Sequence, residues 1–163
     1  MHARCMRSGM TFRLTSPTFA DGADIPARHT CDGDDVSPHL TWSDTPEGTR
    51  SLALVMDDPD APRGLFTHWI VYDVPADVTE LGESSTLGTQ GRNSFGRSGY
   101  GGPCPPSGDE PHRYRFTLYA LDVPAIALET GTREELEAKI DTHVIGTVRL
   151  VGRYQRQAVG ARR

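Results

Sequence analysis

The chain has 163 residues, with 17 basic and 22 acidic side chains and a net charge of -5. This length fits one domain with enough chain to bury a core. The acidic balance argues against a nucleic-acid or anionic-membrane surface as the main partner, since both reward a basic face.

No run is apolar enough to cross a bilayer. Residues 1–9 carry positive charges with no apolar segment behind them, so they read as a disordered extension and not as a secretory leader, with Met10 a candidate start. One domain is expected over 10–155 and a frayed tail over 156–163. The three cysteines, Cys5, Cys31 and Cys104, are an odd number and point to a reducing cytoplasm. A Cys31–Cys104 pair stays open, because the sequence does not contain the distance it requires.

Thr11 to Ser16 alternates and predicts a first strand, followed by a turn-rich connection over Pro17 to Pro26. A short strand is expected over Arg28 to Cys31, then a loop of turn formers from Asp32 to Pro38 and a strand over Leu40 to Trp42. Ser51 to Met56 is an almost unbroken apolar run, the pattern of a central strand covered on both faces. Thr67 to Val74, rich in β-branched and aromatic residues, predicts a second interior strand. Pro75 to Arg97 is a Gly/Ser/Thr-rich excursion of weak structure. From Arg113 to Leu121, Tyr114, Phe116, Leu118 and Ala120 alternate with polar residues, the period of a half-buried strand. The one well-marked helix is Arg133 to Ile140, with Thr132 and Glu135 as a capping box. Val144 to Tyr154 returns to strand character, with Gly146 a candidate kink. Many short strands, 17 glycines and 12 prolines predict a mainly β, antiparallel domain.

Three fragments carry candidate chemistry. In Asp58-Pro59-Asp60-Ala61-Pro62 the two carboxylates, two apart in an extended segment, are expected to face the same way, and a cis bond before Pro62 is one way to fix the turn. His68 opens an apolar strand. Tyr100-Gly101-Gly102-Pro103-Cys104-Pro105-Pro106-Ser107-Gly108 is a rigid loop that cannot be helical. It runs into His112 and Tyr114, which share one face of the next strand. Each fragment alone is ordinary: a turn, a strand entry, a core tyrosine.

Together, and in this order, they resemble the phosphatidylethanolamine-binding protein family, in its bacterial branch of Raf-kinase-inhibitor-like proteins. Cys31-Asp32-Gly33, Ser37-Pro38-His39-Leu40-Thr41-Trp42 and His68-Trp69-Ile70-Val71 complete the match, which spans roughly Thr11 to Tyr154. The resemblance implies a Greek-key β-sandwich of two antiparallel sheets with one or two short peripheral helices. It also implies a small surface pocket for phosphate, acetate or a phospholipid headgroup. Its pocket positions fall on Asp58, Asp60, His68, Gly102, Pro106, His112 and Tyr114. The segment from Pro62 to His68 is short, so a long loop found beside the pocket in some eukaryotic members is missing.

Two aspartates beside an anion pose an electrostatic problem. Three features are expected to offset them: a nest of backbone N–H groups at Gly101 and Gly102, a protonated His68 or His112 oriented by Asp58 or Asp60, and the Tyr114 hydroxyl. Asp109-Glu110 adds further negative charge at the rim. The function expected is non-enzymatic binding without a cofactor, with modulation of a partner enzyme such as a kinase as a family-derived addition. The alternative is a hydrolase or other acid–base enzyme using the same Asp/His set, with Cys104 its one candidate thiol nucleophile. A zinc site is disfavoured, since no close-spaced ligand pair is present. Similar bacterial proteins include homodimers, for which Trp42 and Tyr154 are candidate interface aromatics, although each reads first as a core residue.

Overall fold

The computed structural model describes residues 11–157. In chain order they form β1 (Arg13–Thr15), a 3-10 turn (Ala27–His29), β2 (Leu40–Ser43), β3 (Ser51–Asp58), β4 (Phe66–Pro75), β5 (Glu80–Leu81), β6 (Thr89–Gln90), β7 (His112–Leu121), α1 (Arg133–Ile140) and β8 (Val144–Tyr154). A five-stranded sheet runs β6-β4-β3-β7-β8 and a three-stranded sheet runs β1-β2-β5. Every pairing within the two sheets is antiparallel. The predicted mainly β, two-sheet class is therefore the observed one.

β3 is the centre of the large sheet and is buried along its whole length. Its even positions, Leu52, Leu54 and Met56, join Trp69, Phe116 and Leu118 in the core against Leu14, Leu40 and Trp42 of the small sheet. Its odd positions, Ala53 and Val55, pack on the other side with Ile70, Tyr72 and the α1 residues Leu136 and Ile140. Both faces are covered, which is why the run reads as continuously apolar. Trp42 is core, with its indole N–H donated to the Val78 carbonyl, 3.0 Å away, and is no interface aromatic.

Three local expectations are corrected. Arg28–Cys31 is not a strand: Pro26 holds φ near −59°, and His29 N–H to Pro26 O and Thr30 N–H to Ala27 O close a 3-10 turn instead. No peptide bond among the described residues is cis, so the one before Pro62 is trans. The capping box at α1 is lopsided. Thr132 Oγ1 accepts from Glu135 N–H, but the Glu135 carboxylate reaches past Thr132 to the N–H groups of Glu129, Thr130 and Gly131. These donors, that of Glu129 foremost, hold Glu135 down to about 2.

The extension expected over 1–9 lies outside the described residues, as does 158–163 of the expected tail. Within the described part of that tail, Arg156 is anchored. Its carbonyl accepts from Gly108 N–H, and its guanidinium stands 3.3 Å from Asp32.

Candidate functional site

Strand parity builds the site. Asp58, the last residue of β3, continues the inward series of Leu52, Leu54 and Met56. In β7, His112 and Tyr114 continue the inward series of Phe116 and Leu118. On β4 the register against β3 shifts between Met56 and Asp57: Met56 pairs with Trp69, but Asp57 pairs with Thr67, leaving His68 as an extra residue. That bulge lets His68 line the pocket beside a core Trp69. The result is a pocket of about 230 Å³ lined by Asp58, Ala61, Pro62, Phe66, His68, Phe95, Cys104, Pro105, Pro106, His112 and Tyr114. Its size suits a ligand smaller than a typical drug molecule.

Asp58 and His112 are both buried, and Asp58 Oδ2 lies 2.7 Å from His112 Nδ1. The other ring nitrogen, Nε2, lies 3.0 Å from Asp109 Oδ2. Two carboxylates at the two nitrogens make both of them donors, the arrangement of an imidazolium. Burial opposes the charge, but the bonds to Asp58 and Asp109 outweigh it and raise His112 above the ordinary histidine value.

His68 is in the opposite state. Burial pushes its pKa down, and the ring sits among Phe66, Phe95 and Tyr114 at centroid distances of 4.9, 5.5 and 5.3 Å. Its Nδ1 donates to the Gly101 carbonyl over 2.7 Å, which fixes the neutral tautomer with an acceptor at Nε2. Nε2 has no partner among the described residues.

Tyr114 is fully buried, and its hydroxyl makes no hydrogen bond of good geometry, although the Asp58 carboxylate interacts with it. Burial, together with the Asp58 charge, pushes its pKa above the usual tyrosine value, so it stays a phenol and a donor. A buried polar group without a partner costs about 1–3 kcal/mol. It is the kind of group a ligand satisfies.

Of the predicted site residues, Asp58, His68, Pro106, His112 and Tyr114 come together on one pocket wall. Asp60 does not. It lies past the strand end, where the chain turns as its own N–H bonds to Asp58 Oδ1, 2.7 Å away. Its carboxylate is bidentate to the Arg113 guanidinium at 2.8 and 2.9 Å and takes the Arg113 N–H as well, which holds it down to about 2. Asp60 lines a separate outer cleft, so the two carboxylates do not face the same way.

The expected nest at Gly101 and Gly102 is also corrected. Gly101 N–H donates to His68 O, and Gly102 N–H donates to Asp35 Oδ1. Neither amide is available to an anion. Gly102 is needed for space: a Cβ there would run into the His29 carbonyl and the Asp35 carboxylate. Gly101 clamps His68 from both sides, donating to its carbonyl and accepting from its ring.

Phe66 and Phe95 were missed, Asp109 was expected only as charge at the rim, and Cys104 only as a candidate thiol or a candidate partner of Cys31. Phe66 carries a signal after the fact, since it alternates with His68 on the same strand. Asp109 stands three residues before His112. Phe95 comes from the Gly/Ser/Thr-rich excursion, in which β5 and β6 do form, and nothing in its sequence surroundings marks it. Cys104 is a pocket residue, and it forms a disulfide with Cys31, so the pairing left open by the sequence is present. No group of three or more metal-ligating side chains is placed to hold a metal ion among the described residues.

This geometry, two sheets with a small His/Asp/Tyr pocket at the end of the core, defines a class of ligand-binding β-sandwiches. Comparison with known proteins then shows which: residues 15–155 match the model of the phosphatidylethanolamine-binding protein family, and the chain belongs to that family. It is 46% identical to a UPF0098 protein of Aquifex aeolicus over 91% of both chains. It is 47% identical to LppC of Mycobacterium tuberculosis, whose name includes the word lipoprotein, over 87% of this chain and 71% of LppC. Among solved structures, the phosphatidylethanolamine-binding protein homolog CT736 of Chlamydia trachomatis superposes with a TM-score of 0.85 at 41% identity, covering 90% of this chain and 99% of that one. YbcL of E. coli, a member of the mammalian PEBP family, superposes at 0.84 with 35% identity, over 91% and 100% of the two chains. Among the described residues no helix is long and apolar enough to cross a membrane.

Proposed function

We propose that the protein is a non-enzymatic binder of a small anionic ligand, of the phosphate or phospholipid-headgroup type, held in the inner pocket. The observation that carries this reading is two polar atoms at the pocket wall, the buried Tyr114 hydroxyl, which makes no hydrogen bond of good geometry, and His68 Nε2, left open by the bond from Nδ1 to Gly101. A singly protonated oxyacid satisfies both. Its O–H donates to the neutral His68, and another of its oxygens accepts from Tyr114. The same complex can be written as an anion on a His68 imidazolium. Either way the complex holds one proton more than the neutral site plus the fully ionised ligand, so affinity falls as pH rises.

Calorimetry with inorganic phosphate and with phosphoethanolamine, from about pH 6 to about pH 8, tests this. Binding that weakens with pH and is lost in Tyr114→Phe is the expected result. Affinity that rises with pH, or that ignores the hydroxyl, would overturn it.

The enzymatic alternative lacks its thiol, since Cys104 is bonded to Cys31 and supplies no thiolate. Phosphorus NMR showing phosphoethanolamine unchanged after long incubation is the outcome in keeping with a binder. Modulation of a partner such as a kinase, in the manner of a Raf-kinase inhibitor, and a homodimer belong to the same proposal. Phosphate-dependent sedimentation behaviour is the readout for the dimer. The compartment turns on the disulfide. Both cysteines are exposed, and such a cross-link persists outside a reducing cytoplasm. This bears against the cytoplasmic residence expected from the odd cysteine count, and the word lipoprotein in the name of LppC is in keeping with that. Counting free thiols in protein drawn from its native compartment decides the point.

A further inference from the structure

The outer face of the large sheet is covered only in part. α1 closes the half that carries Ala53, Val55 and Ile70. The half at the pocket end of β7 and β8 presents arginines instead. Arg113 and Arg115 alternate with the inward His112, Tyr114 and Phe116, and Arg149, Val151 and Arg153 alternate with the buried Leu150 and Gly152. Arg113, Arg149 and Arg153 are exposed, while Arg115 and Val151 are half-buried. In the register Arg113 stands directly opposite Arg153. Like charges directly opposite each other destabilise a sheet, so this pair is held at a cost. Local carboxylates offset only part of the charge. Asp60 is bidentate to Arg113, and Asp57 meets Arg115 at 2.8 Å. In the outer cleft that Arg153 shares with Asp109 and Glu110, Asp109 is turned to His112. Arg149 donates to the Thr117 hydroxyl, 3.0 Å away, and among the described residues neither Arg149 nor Arg153 forms an ion pair with an acidic side chain. Two uncompensated guanidinium groups thus share one strand of a chain whose net charge is -5.

The edge of β8 beside this face is already paired. Gly22 N–H donates to Val151 O at 2.7 Å, Arg153 N–H donates to Ala23 O at 2.9 Å, and Asp21 Oδ1 takes the Val151 N–H. A partner therefore cannot extend the sheet there and has to lie on its face. We propose that this face is a docking surface for an extended acidic segment of a partner protein, with acidic side chains at i and i+4 against Arg149 and Arg153 and an apolar side chain at i+2 against Val151. The spacing fits because both backbones are extended. A rise of about 3.4 Å per residue separates the two arginines by about 14 Å, and the same step separates i from i+4 in the segment. Val151 supplies an apolar middle that charge attraction alone would not need. An anionic bilayer fits less well. The basic row is narrow, is bordered by Asp57 and Asp60, and belongs to an acidic chain that a broad anionic surface repels. The inference does not depend on what the inner pocket holds.

The test titrates a synthetic peptide, Glu-Ser-Val-Ser-Glu-Ser-Val-Ser-Glu, into the isotope-labelled full chain at low ionic strength, followed by NMR. A peptide of the same residues in the order Glu-Glu-Glu-Ser-Ser-Ser-Ser-Val-Val is the control. The expected result is saturable shifts centred on Arg115, Arg149, Val151 and Arg153, which fade as salt is added, with the control binding more weakly. In the double variant Arg149→Ala/Arg153→Ala the peptide affinity should fall about tenfold, the scale of two exposed ion pairs, while phosphate calorimetry at the inner pocket stays unchanged. Arg153→Gln alone should lose about threefold, and it carries the test should the double variant not fold. Shifts centred elsewhere, equal binding of the two peptides, or an affinity untouched by the variants overturns the docking surface and leaves the pocket reading intact. Phosphatidylglycerol vesicles that bind this face where the peptide does not overturn it in favour of a membrane. Phosphate that fails to bind the unmodified chain, while the peptide does, overturns the pocket reading and supports the docking surface.

Discussion

Replacing Asp58 with alanine is the sharpest test of how the site is held. The carboxylate does two jobs. Oδ2 sits 2.7 Å from His112 Nδ1, and Oδ1 accepts the Asp60 N–H at 2.7 Å to start the turn out of β3. Both members of the ion pair are almost completely buried, with side-chain exposures of 4% and 6%. Removing Asp58 leaves His112 with the partly exposed Asp109 as its one carboxylate, so the about 3–5 kcal/mol of an uncompensated buried charge is the upper bound of the cost. Domains of this size melt about 2–4 °C lower per kcal/mol, so the corresponding bound on the loss is about 6–20 °C. Urea denaturation of Asp58→Ala, His112→Ala and the double variant gives the coupling directly. A coupling energy within about 0.5 kcal/mol of zero would refute the buried ion pair, because independent sites add to within that margin.

Three further outcomes follow from the same geometry. Imidazole titrations should separate the two pocket histidines, with His112 above the ordinary value and His68 below it. The signs differ for stability too. The His112 contribution is full below about pH 6.5 and lost as pH rises through its folded pKa, while His68 opposes folding as pH falls below that value. Two superimposed titrations would remove the assignment. Tyr114→Phe should leave stability unchanged or raise it by about 1 kcal/mol while weakening phosphate binding, since it deletes a buried hydroxyl that makes no hydrogen bond of good geometry. A loss of more than about 1 kcal/mol would mean that the hydroxyl is bonded within the protein. Finally, Cys31 and Cys104 are 73 residues apart, and the entropy of a loop that long predicts about 4 kcal/mol of stabilisation. An unshifted urea midpoint under reductant would contradict that.

Strand periodicity made most of the fold legible. The unbroken apolar run of β3 and the alternation of β7 gave both the central position and the inward faces of His112 and Tyr114. The same parity logic failed past the strand end, at Asp60. Extended geometry would place Asp60 beside Asp58, but the turn after Asp58 and the Arg113 guanidinium take it to the outer cleft. The glycine amides failed for another reason. Gly and Pro reveal where a chain bends, but not where its N–H groups point. Here both go to internal acceptors, one of them Asp35, far away in sequence. His68 was legible as a site residue but not in its charge state, because its aromatic surroundings come from three separated segments, at Phe66, Phe95 and Tyr114.

The two histidines answer the electrostatic objection that two aspartates beside an anion first raised. Neither aspartate is a bare charge. Asp60 is neutralised outside the pocket by Arg113, and Asp58 is spent on His112. The imidazolium absorbs the carboxylates, and the neutral histidine beside it keeps an acceptor open toward the pocket. The electrostatics therefore do not call for a permanently positive site. They call for a ligand that arrives with a proton, or collects one at His68, and finds the Tyr114 hydroxyl waiting. On the anion-binding proposal, a site of this kind discriminates by protonation state as well as by shape.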